Sequence, residues 1–222
     1  MAIREQKDVA SEIGEENTRD KILNAAGEVF AERGFEGATV RAITERAGVN
    51  IAAINYHFRD KSELYTRVVM DACAVPKTLR EAMIQSGEAP EKRIRSLVFI
   101  FLRYLLDPDR PAWKQKLTAQ EFSTPSAALD ELVENAIRPL REEFLMPAVN
   151  ELTGGRLPRR QLSFIGASIM GQCLYYLQNR PLIERLIPHF KIGKSEITEL
   201  AEHITRFSLG GIKELTRQAD RS

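Results

Sequence analysis

The chain has 222 residues, of which 43% are hydrophobic and 28% charged, and this balance excludes a protein that is disordered throughout. The formal net charge of +1 excludes a general electrostatic attraction to nucleic acid, so positive groups that contact DNA must be placed locally. The two cysteines lack a paired-ligand spacing and the N-terminus lacks a secretory signal pattern, so we expect a cytoplasmic protein without metal or other cofactor.

The N-terminal residues 1–16 are rich in acidic side chains and show little periodicity, and we interpret them as a mobile tail. From Asn17 onward, apolar residues follow a helical period without the sustained alternation of strands, which predicts an all-α fold. The first helix is expected to begin at Asn17 or Thr18. It should end at Gly34, which accepts a left-handed backbone.

Two short helices joined by a tight turn follow the first helix. Thr39 is expected to cap the second helix and Asn50 the third, which runs to about His57, with a turn at 47–49 between them. Asp60 and Glu63, three residues apart, predict a capping box at the start of a fourth helix. Residues 17–63 are therefore predicted to form a three-helix domain with a helix-turn-helix, the unit that many DNA-binding proteins use.

The third helix is predicted to turn small and amide side chains outward, because Val49, Ile54 and Phe58 would hold its other side to the core. Such a surface suits the major groove, where Asn can bond adenine and Ala or Ile can touch a thymine methyl. The predicted base-reading face comprises Asn50, Ile51, Ala52, Ala53 and Asn55. The predicted phosphate contacts are Thr39, Arg41, Tyr56, His57 and Lys61. The alternative is an ordinary helical hairpin in which Asn55 and His57 are merely solvated.

Residues 18–65 resemble the DNA-binding domain of the TetR family of bacterial repressors. The features that carry the resemblance, in chain order, are Gly34-Phe35, Thr39, Ala47-Gly48-Val49, Tyr56-His57-Phe58 and Lys61. The resemblance implies phosphate contacts by Thr39, Tyr56, His57 and Lys61 and a reading face at 50–55. Ala52 stands where the family often has Gly, and Asn55 where an aromatic residue is common. These two departures lie on the predicted reading face and imply that this protein binds an operator of its own.

The rest of the chain, residues 64–222, is predicted to be a helical effector-binding and dimerisation domain. Helices are expected over 91–106, 112–122, 159–178 and 195–217, with a stretch broken by Pro139 and Pro147 and a short irregular segment after residue 178. The most apolar run, Leu97–Leu106, is too short to cross a bilayer, so we expect no membrane span.

Aromatic side chains on these helices could surround an apolar or aromatic small molecule. The predicted effector pocket comprises Phe101, Tyr104, Trp113, Phe122, Phe144, Met170 and Tyr175. The alternative for each of them is plain core packing.

Two of the later helices could form a four-helix interface between two copies of the chain. The predicted dimer contacts are Gly166, Ile169, Leu200, Ile204 and Phe207, and the alternative is packing within one chain. A homodimer is expected independently, because one short helix reads too few bases of double-stranded DNA to be specific. A twofold dimer would read a palindrome.

Residues 121–139, 171–176 and 203–212 resemble the CerR-like C-terminal domain of a subset of TetR-type regulators. This implies small-molecule sensing, and we expect a repressor that an effector releases from its operator. An enzyme is the first alternative, but His57, His189 and His203 are scattered and no HExxH, GxSxG or glycine-rich phosphate loop is present. The second alternative is a protein-binding module that has lost DNA binding. The presence of Thr39, Tyr56 and Lys61 at the matching positions of the family is evidence against it.

Overall fold

A computed structural model describes residues 2–85 and 88–221, with the backbone alone over residues 2–16. The described residues contain helices and no strand, which confirms the predicted all-α class. The α-helices are α1 (Ala2–Gly37), α2 (Val40–Ala47), α3 (Ile51–His57), α4 (Lys61–Cys73), α5 (Lys77–Gln85), α6 (Pro90–Leu106), α7 (Ala112–Ser123), α8 (Leu129–Leu132), α9 (Met146–Leu152), α10 (Arg159–Gln178), α11 (Arg180–Leu186) and α12 (Lys194–Ala219). None of the described helices is both long enough and apolar enough to span a membrane.

The chain divides into two compact units. The first comprises Met1–Cys73 and Lys116–Leu132, and the second comprises Ala74–Gln115 and Val133–Ser222. The first unit therefore extends beyond the predicted boundary at residue 63, because the inner face of α4, including Leu64 and Val68, is fully buried. Residues from α7 and α8 return to this unit although they are distant from it in sequence.

Helix α1 differs from its predicted start. It begins at Ala2 instead of Asn17 or Thr18, so the segment expected to be a mobile tail is helical from Ala2 onward. The segment contains no proline, and nothing in it stops a helix before Asn17. The acidic side chains expected in this tail lie outside the described residues.

The regular helix is interrupted at Gly34, where its end was predicted, and helical residues resume up to Gly37. Gly34 has φ +69° and ψ 177°, a conformation that interrupts the helix and that other residues rarely adopt. Ile22, Ala26, Val29 and Phe30 lie at helical spacing and form an apolar stripe on α1, and all four are buried.

The second unit is built on α6, whose buried side chains include Ile94, Leu97 and Phe101, packed with α9, α10 and α12. The predicted helix over 159–178 is confirmed as α10. After residue 178 the prediction of an irregular segment is wrong, because α11 occupies Arg180–Leu186. Pro181 lies in its first turn, where a missing backbone N–H costs little.

The predicted break at Pro139 takes the form of two π-helical segments, Val133–Ile137 and Leu140–Leu145. Proline has no N–H to donate to the carbonyl four residues before it, here that of Asn135. The Arg80 guanidinium of α5 donates to this carbonyl at 3.2 Å and to the next at 3.4 Å. An arginine thus replaces the hydrogen bond that the proline removes.

We predict that Phe30→Ala lowers the free energy of unfolding by about 3–5 kcal/mol, because Phe30 is fully buried and its removal leaves a cavity. Its ring also lies edge-on to Tyr65, with the centroids 4.9 Å apart. Denaturant unfolding monitored by circular dichroism measures the change. The matched control is Tyr56→Ala, an aromatic residue 71% exposed in the same unit, which should shift stability by no more than about 0.5 kcal/mol. Equal losses in both variants would contradict this assignment of the core.

Candidate nucleic-acid interface

Thr39 caps α2 as predicted. Its Oγ accepts a hydrogen bond from the Ala42 N–H at 3.1 Å, and its carbonyl accepts one from the Ile43 N–H. The cap uses an oxygen lone pair and leaves the hydroxyl hydrogen for another acceptor. Because Thr39 is exposed at the start of α2, this hydrogen can reach a phosphate oxygen.

The turn between α2 and α3 depends on Gly48. Its backbone has φ +66° and ψ 32°, and its N–H donates to the Thr44 carbonyl, which also accepts from Val49 at 3.1 Å. These bonds end α2 and reverse the chain within three residues. Asn50 then caps α3, and its side-chain oxygen accepts from the Ala52 N–H. The amide nitrogen of Asn50 remains for DNA, whereas its oxygen is already engaged.

Helix α3 presents one surface outward. Ile54 and Phe58 are buried beneath it and Val49 is half-buried, as predicted. Four residues of the predicted base-reading face are exposed, and the fifth, Ala53, is half-buried; the exposed ones are Asn50, Ile51, Ala52 and Asn55. The arrangement gives a short helix whose outer side carries methyl groups and amides and little bulk, which is a shape that enters the major groove.

The predicted phosphate-contact residues lie around this helix with different exposures. Tyr56 and Arg41 are exposed, and His57 is half-buried. Several arginines of the unit form ion pairs: Arg41 with Glu45 at 2.8 Å, Arg46 with Glu32 at 2.8 Å and Arg59 with Asp60 at 3.3 Å. A phosphate that approaches these arginines therefore competes with a carboxylate for them.

Lys61 has a structural task that its position in the sequence did not reveal. Its Nζ donates to the carbonyls of Phe35 and Ala38, at 2.9 and 3.2 Å, and lies 4.3 Å from the centre of the Phe35 ring. These contacts join the beginning of α4 to the link between α1 and α2. An ammonium group has three hydrogens, so one remains for a phosphate.

Asp60 caps α4 as predicted, but the second hydrogen bond of the predicted capping box goes to Arg59 and not to the N-cap residue Asp60. The Asp60 carboxylate accepts from the Glu63 N–H at 2.8 Å, and the Glu63 carboxylate accepts from the Arg59 N–H at 3.3 Å. The hydrogen bond from Glu63 holds the pKa of Asp60 below its usual value. The cap therefore persists at any pH at which the carboxylate stays ionised.

The residues predicted to surround an effector are divided between the units. Phe122 belongs to the first unit and is half-buried, and the other six belong to the second. Phe101, Trp113 and Phe144 are buried, Tyr104 and Met170 are half-buried and Tyr175 is exposed. The Arg110 guanidinium covers Tyr104, with its central carbon 3.6 Å from the ring centre. The pocket remains a prediction for these residues.

A largely apolar groove of about 480 Å³ lies in the second unit along α10 and α12. Phe164 and Phe207 line it and are 57% and 67% exposed. Of the five predicted dimer contacts, Phe207 alone is exposed, whereas Gly166, Ile169, Leu200 and Ile204 are buried within the unit. These four buried residues therefore pack within one chain. Ile169 also lines the groove, beside the two exposed phenylalanines, one on each of these helices.

The chain is similar to known regulators over both units. Residues 22–68 match the family model of bacterial regulatory proteins, tetR family. Residues 90–212, more than half of the chain, match the C-terminal domain of the HTH-type transcriptional dual regulator CecR. CecR is the correct name of the C-terminal class expected above as CerR-like.

The transcriptional repressor AcnR of Corynebacterium efficiens is 32% identical over 130 residues, which are 55% of this chain and 63% of the relative. AcnR of Corynebacterium glutamicum is 35% identical over 97 residues, 44% of this chain and 45% of the relative. The matched segments thus span less than two thirds of either relative. FadR of Bacillus subtilis, crystallised with stearoyl-CoA, has a similar fold, with a TM-score of 0.64 at 16% identity over 86% of this chain and 97% of FadR.

We predict that Gly48→Ala lowers the free energy of unfolding by about 1–2 kcal/mol, because a side chain disfavours the left-handed backbone that the turn requires. No heavy atom lies within 4 Å of the position that the new Cβ would occupy, so the loss reflects backbone strain alone. Denaturant unfolding measures it. Gly37→Ala is the control, since Gly37 has no positive φ and should change stability by no more than about 0.5 kcal/mol. A Gly48→Ala protein as stable as the wild type would contradict the turn geometry.

Proposed function

The chain belongs to the TetR family of bacterial transcriptional regulators, and we propose that it is a homodimeric repressor that a small-molecule effector releases from a palindromic operator. The observation that carries the proposal is the outer surface of α3, which is exposed on a short helix held from below by Ile54 and Phe58. Because bacterial operators lie in the cytoplasm, we place the protein there.

We assign base recognition to the exposed side of α3. The Asn55 amide can donate to and accept from an adenine edge at the same time, and Ile51 and Ala52 can contact thymine methyl groups. Asn50 contributes its amide nitrogen only, since its oxygen caps the helix. The Tyr56 hydroxyl, Thr39 and the remaining hydrogen of Lys61 position the helix through phosphates. Operator affinity then rests on a few placed contacts, in agreement with the net charge of +1.

The groove along α10 and α12 supports a dimer. Two exposed phenylalanines beside small residues such as Ser168 and Gly211 form an apolar surface to which a second copy could contribute the same helices. A pair of helices from each copy would make a four-helix interface with twofold symmetry. The two reading helices of such a dimer would address two half-sites of a palindrome.

The effector is proposed to be a small apolar or aromatic molecule bound among the aromatic residues of the C-terminal helices. The complex of FadR with stearoyl-CoA supports a ligand with an apolar part, because the stearoyl group of that ligand is a hydrocarbon chain. Release from DNA requires that the effector bind one arrangement of the two DNA-binding heads more tightly than the other. To identify the effector, genomic fragments bound by the protein are selected, and the selection is repeated with candidate ligands present. The effector is the ligand that releases the bound fragments.

We predict that Asn55→Ala weakens operator binding about tenfold or more, because a bidentate contact to a base discriminates by about 1–3 kcal/mol. Binding to unrelated DNA should change little, since that binding depends on phosphates. Fluorescence anisotropy with labelled operator and scrambled duplexes measures both affinities. Asn24→Ala is the control, because Asn24 is an exposed asparagine of the same unit that bonds only to its own helix, at Asp20. If both Asn55→Ala and Tyr56→Ala leave operator binding unchanged at moderate salt, the site assignment is wrong.

We also predict that Phe207→Glu converts the dimer into a monomer, because it places a charge in the apolar groove. Light scattering coupled to size-exclusion chromatography reports the mass directly. The control is Leu79→Glu, which adds the same charge at an exposed leucine of α5 outside the groove and should leave the mass at that of a dimer. A dimeric Phe207→Glu protein would place the interface elsewhere.

A further inference from the structure

A buried carboxylate lies in the first unit near the end of α7. Glu121 is 1% exposed, and one of its oxygens accepts from the backbone N–H and the hydroxyl of Ser126, at 2.9 and 3.0 Å. The other oxygen accepts from the Tyr65 hydroxyl at 3.3 Å. All three donors are neutral, so the hydrogen bonds must offset the full cost of removing a charge from water. A residue that only filled space at this position would be apolar.

Tyr65 carries the contact from Glu121 into the helix-turn-helix. Burial, together with the nearby Glu121 carboxylate, raises the pKa of Tyr65 to about 12, so the hydroxyl keeps its proton and remains a donor. Its ring lies edge-on to those of Phe30 and Phe35, at centroid distances of 4.9 and 5.1 Å. Phe35 follows the left-handed Gly34, and its ring contacts those of Tyr65 and of Phe30, the latter at a centroid distance of 6.3 Å, so Tyr65 is one of two aromatic constraints on its position.

Phe35 in turn determines where Lys61 lies. The Lys61 ammonium rests over the Phe35 ring and donates to the Phe35 carbonyl and to that of Ala38, the residue before Thr39. An unbroken series of contacts therefore runs from Glu121 through Tyr65 and Phe35 to two groups assigned to phosphates. A second contact supports its first step, since the Thr118 hydroxyl of α7 donates to the Ala72 carbonyl of α4 at 2.9 Å.

We propose that Glu121 is a positioning residue for operator binding: by fixing Tyr65, it holds the Phe35 ring and thereby sets the position of the Lys61 ammonium and of Thr39 at the start of α2. The proposal rests on the DNA-binding function proposed above. It makes the segment 116–132 a working part of the DNA-binding head, although the segment lies outside the residues that resemble the family's DNA-binding domain.

The first test uses the protein without DNA. Acetic anhydride acetylates lysine amines at rates that mass spectrometry of peptides resolves residue by residue. Glu121→Ala should raise the rate at Lys61 about fivefold, the factor that one lost hydrogen bond represents. Glu121→Gln keeps an oxygen for Ser126 and an amide for Tyr65, and it should restore a rate close to that of the wild type. Glu131→Ala is the control, because Glu131 also joins this segment to α4, through Arg67 at 3.5 Å, but is only half-buried.

The second test measures the salt dependence of operator binding. A lysine that no longer meets its phosphate lowers the slope of log K against log salt concentration by about 0.9. Glu121→Ala should show this loss, together with an affinity about tenfold weaker at moderate salt. In a Lys61→Ala background, Glu121→Ala should add little further loss, because the contact through which it acts is already absent.

Unchanged Lys61 reactivity and an unchanged salt slope in Glu121→Ala would overturn the inference, as would equal effects in Glu131→Ala. If Glu121→Ala loses its helical circular dichroism, Tyr65→Leu provides the same test, since it retains the acid and removes the ring contacts. Tyr65→Leu should raise Lys61 reactivity, and no rise would overturn the inference. Failure of the unmodified protein to bind any operator would overturn the proposed function alone, because acetylation is measured without DNA.

Discussion

Ile54 and Phe58 attach the reading helix to the rest of the molecule, and the other features of the first unit follow from this attachment. Helix α3 has seven residues, too few to be stable in isolation. Two buried side chains, a cap at Asn50 and the turn at Gly48 therefore define its position. Helices α1 and α2, which contact α3, supply the surface against which those two side chains are buried.

Local chemistry explains why the sequence predicted this region in detail. Thr39, Gly48, Asn50 and Asp60 act on residues at most four positions away, and each ends or caps a helix as predicted. The start of α1 was missed because residues 2–16 carry no strong helix signal, only the absence of a helix breaker. Helix α11 was missed because Pro181 was interpreted as a sign of irregularity, whereas a proline in the first turn is compatible with a helix.

Contacts between distant parts of the chain could not be predicted from local patterns. Glu121 looks like one of many glutamates in the sequence, and only the fold shows that it is buried against Tyr65. The division of α10 and α12 into an inner and an outer face has the same origin. Leu200 and Ile204 are buried by packing within the chain, whereas Phe207 of the same helix is exposed.

The ion pairs of the DNA-binding head have a consequence for how the protein is distributed in a cell. Arg41, Arg46 and Arg59 each face a carboxylate of their own unit, so a DNA phosphate must compete with that carboxylate for each of these three arginines. Binding to arbitrary sequences derives almost wholly from positive charge, and a genome offers millions of arbitrary sites for each operator. Three arginines that already face carboxylates contribute less to this background binding than three unpaired arginines would. For the repressor proposed above, fewer copies of the protein are then needed to keep its operator occupied.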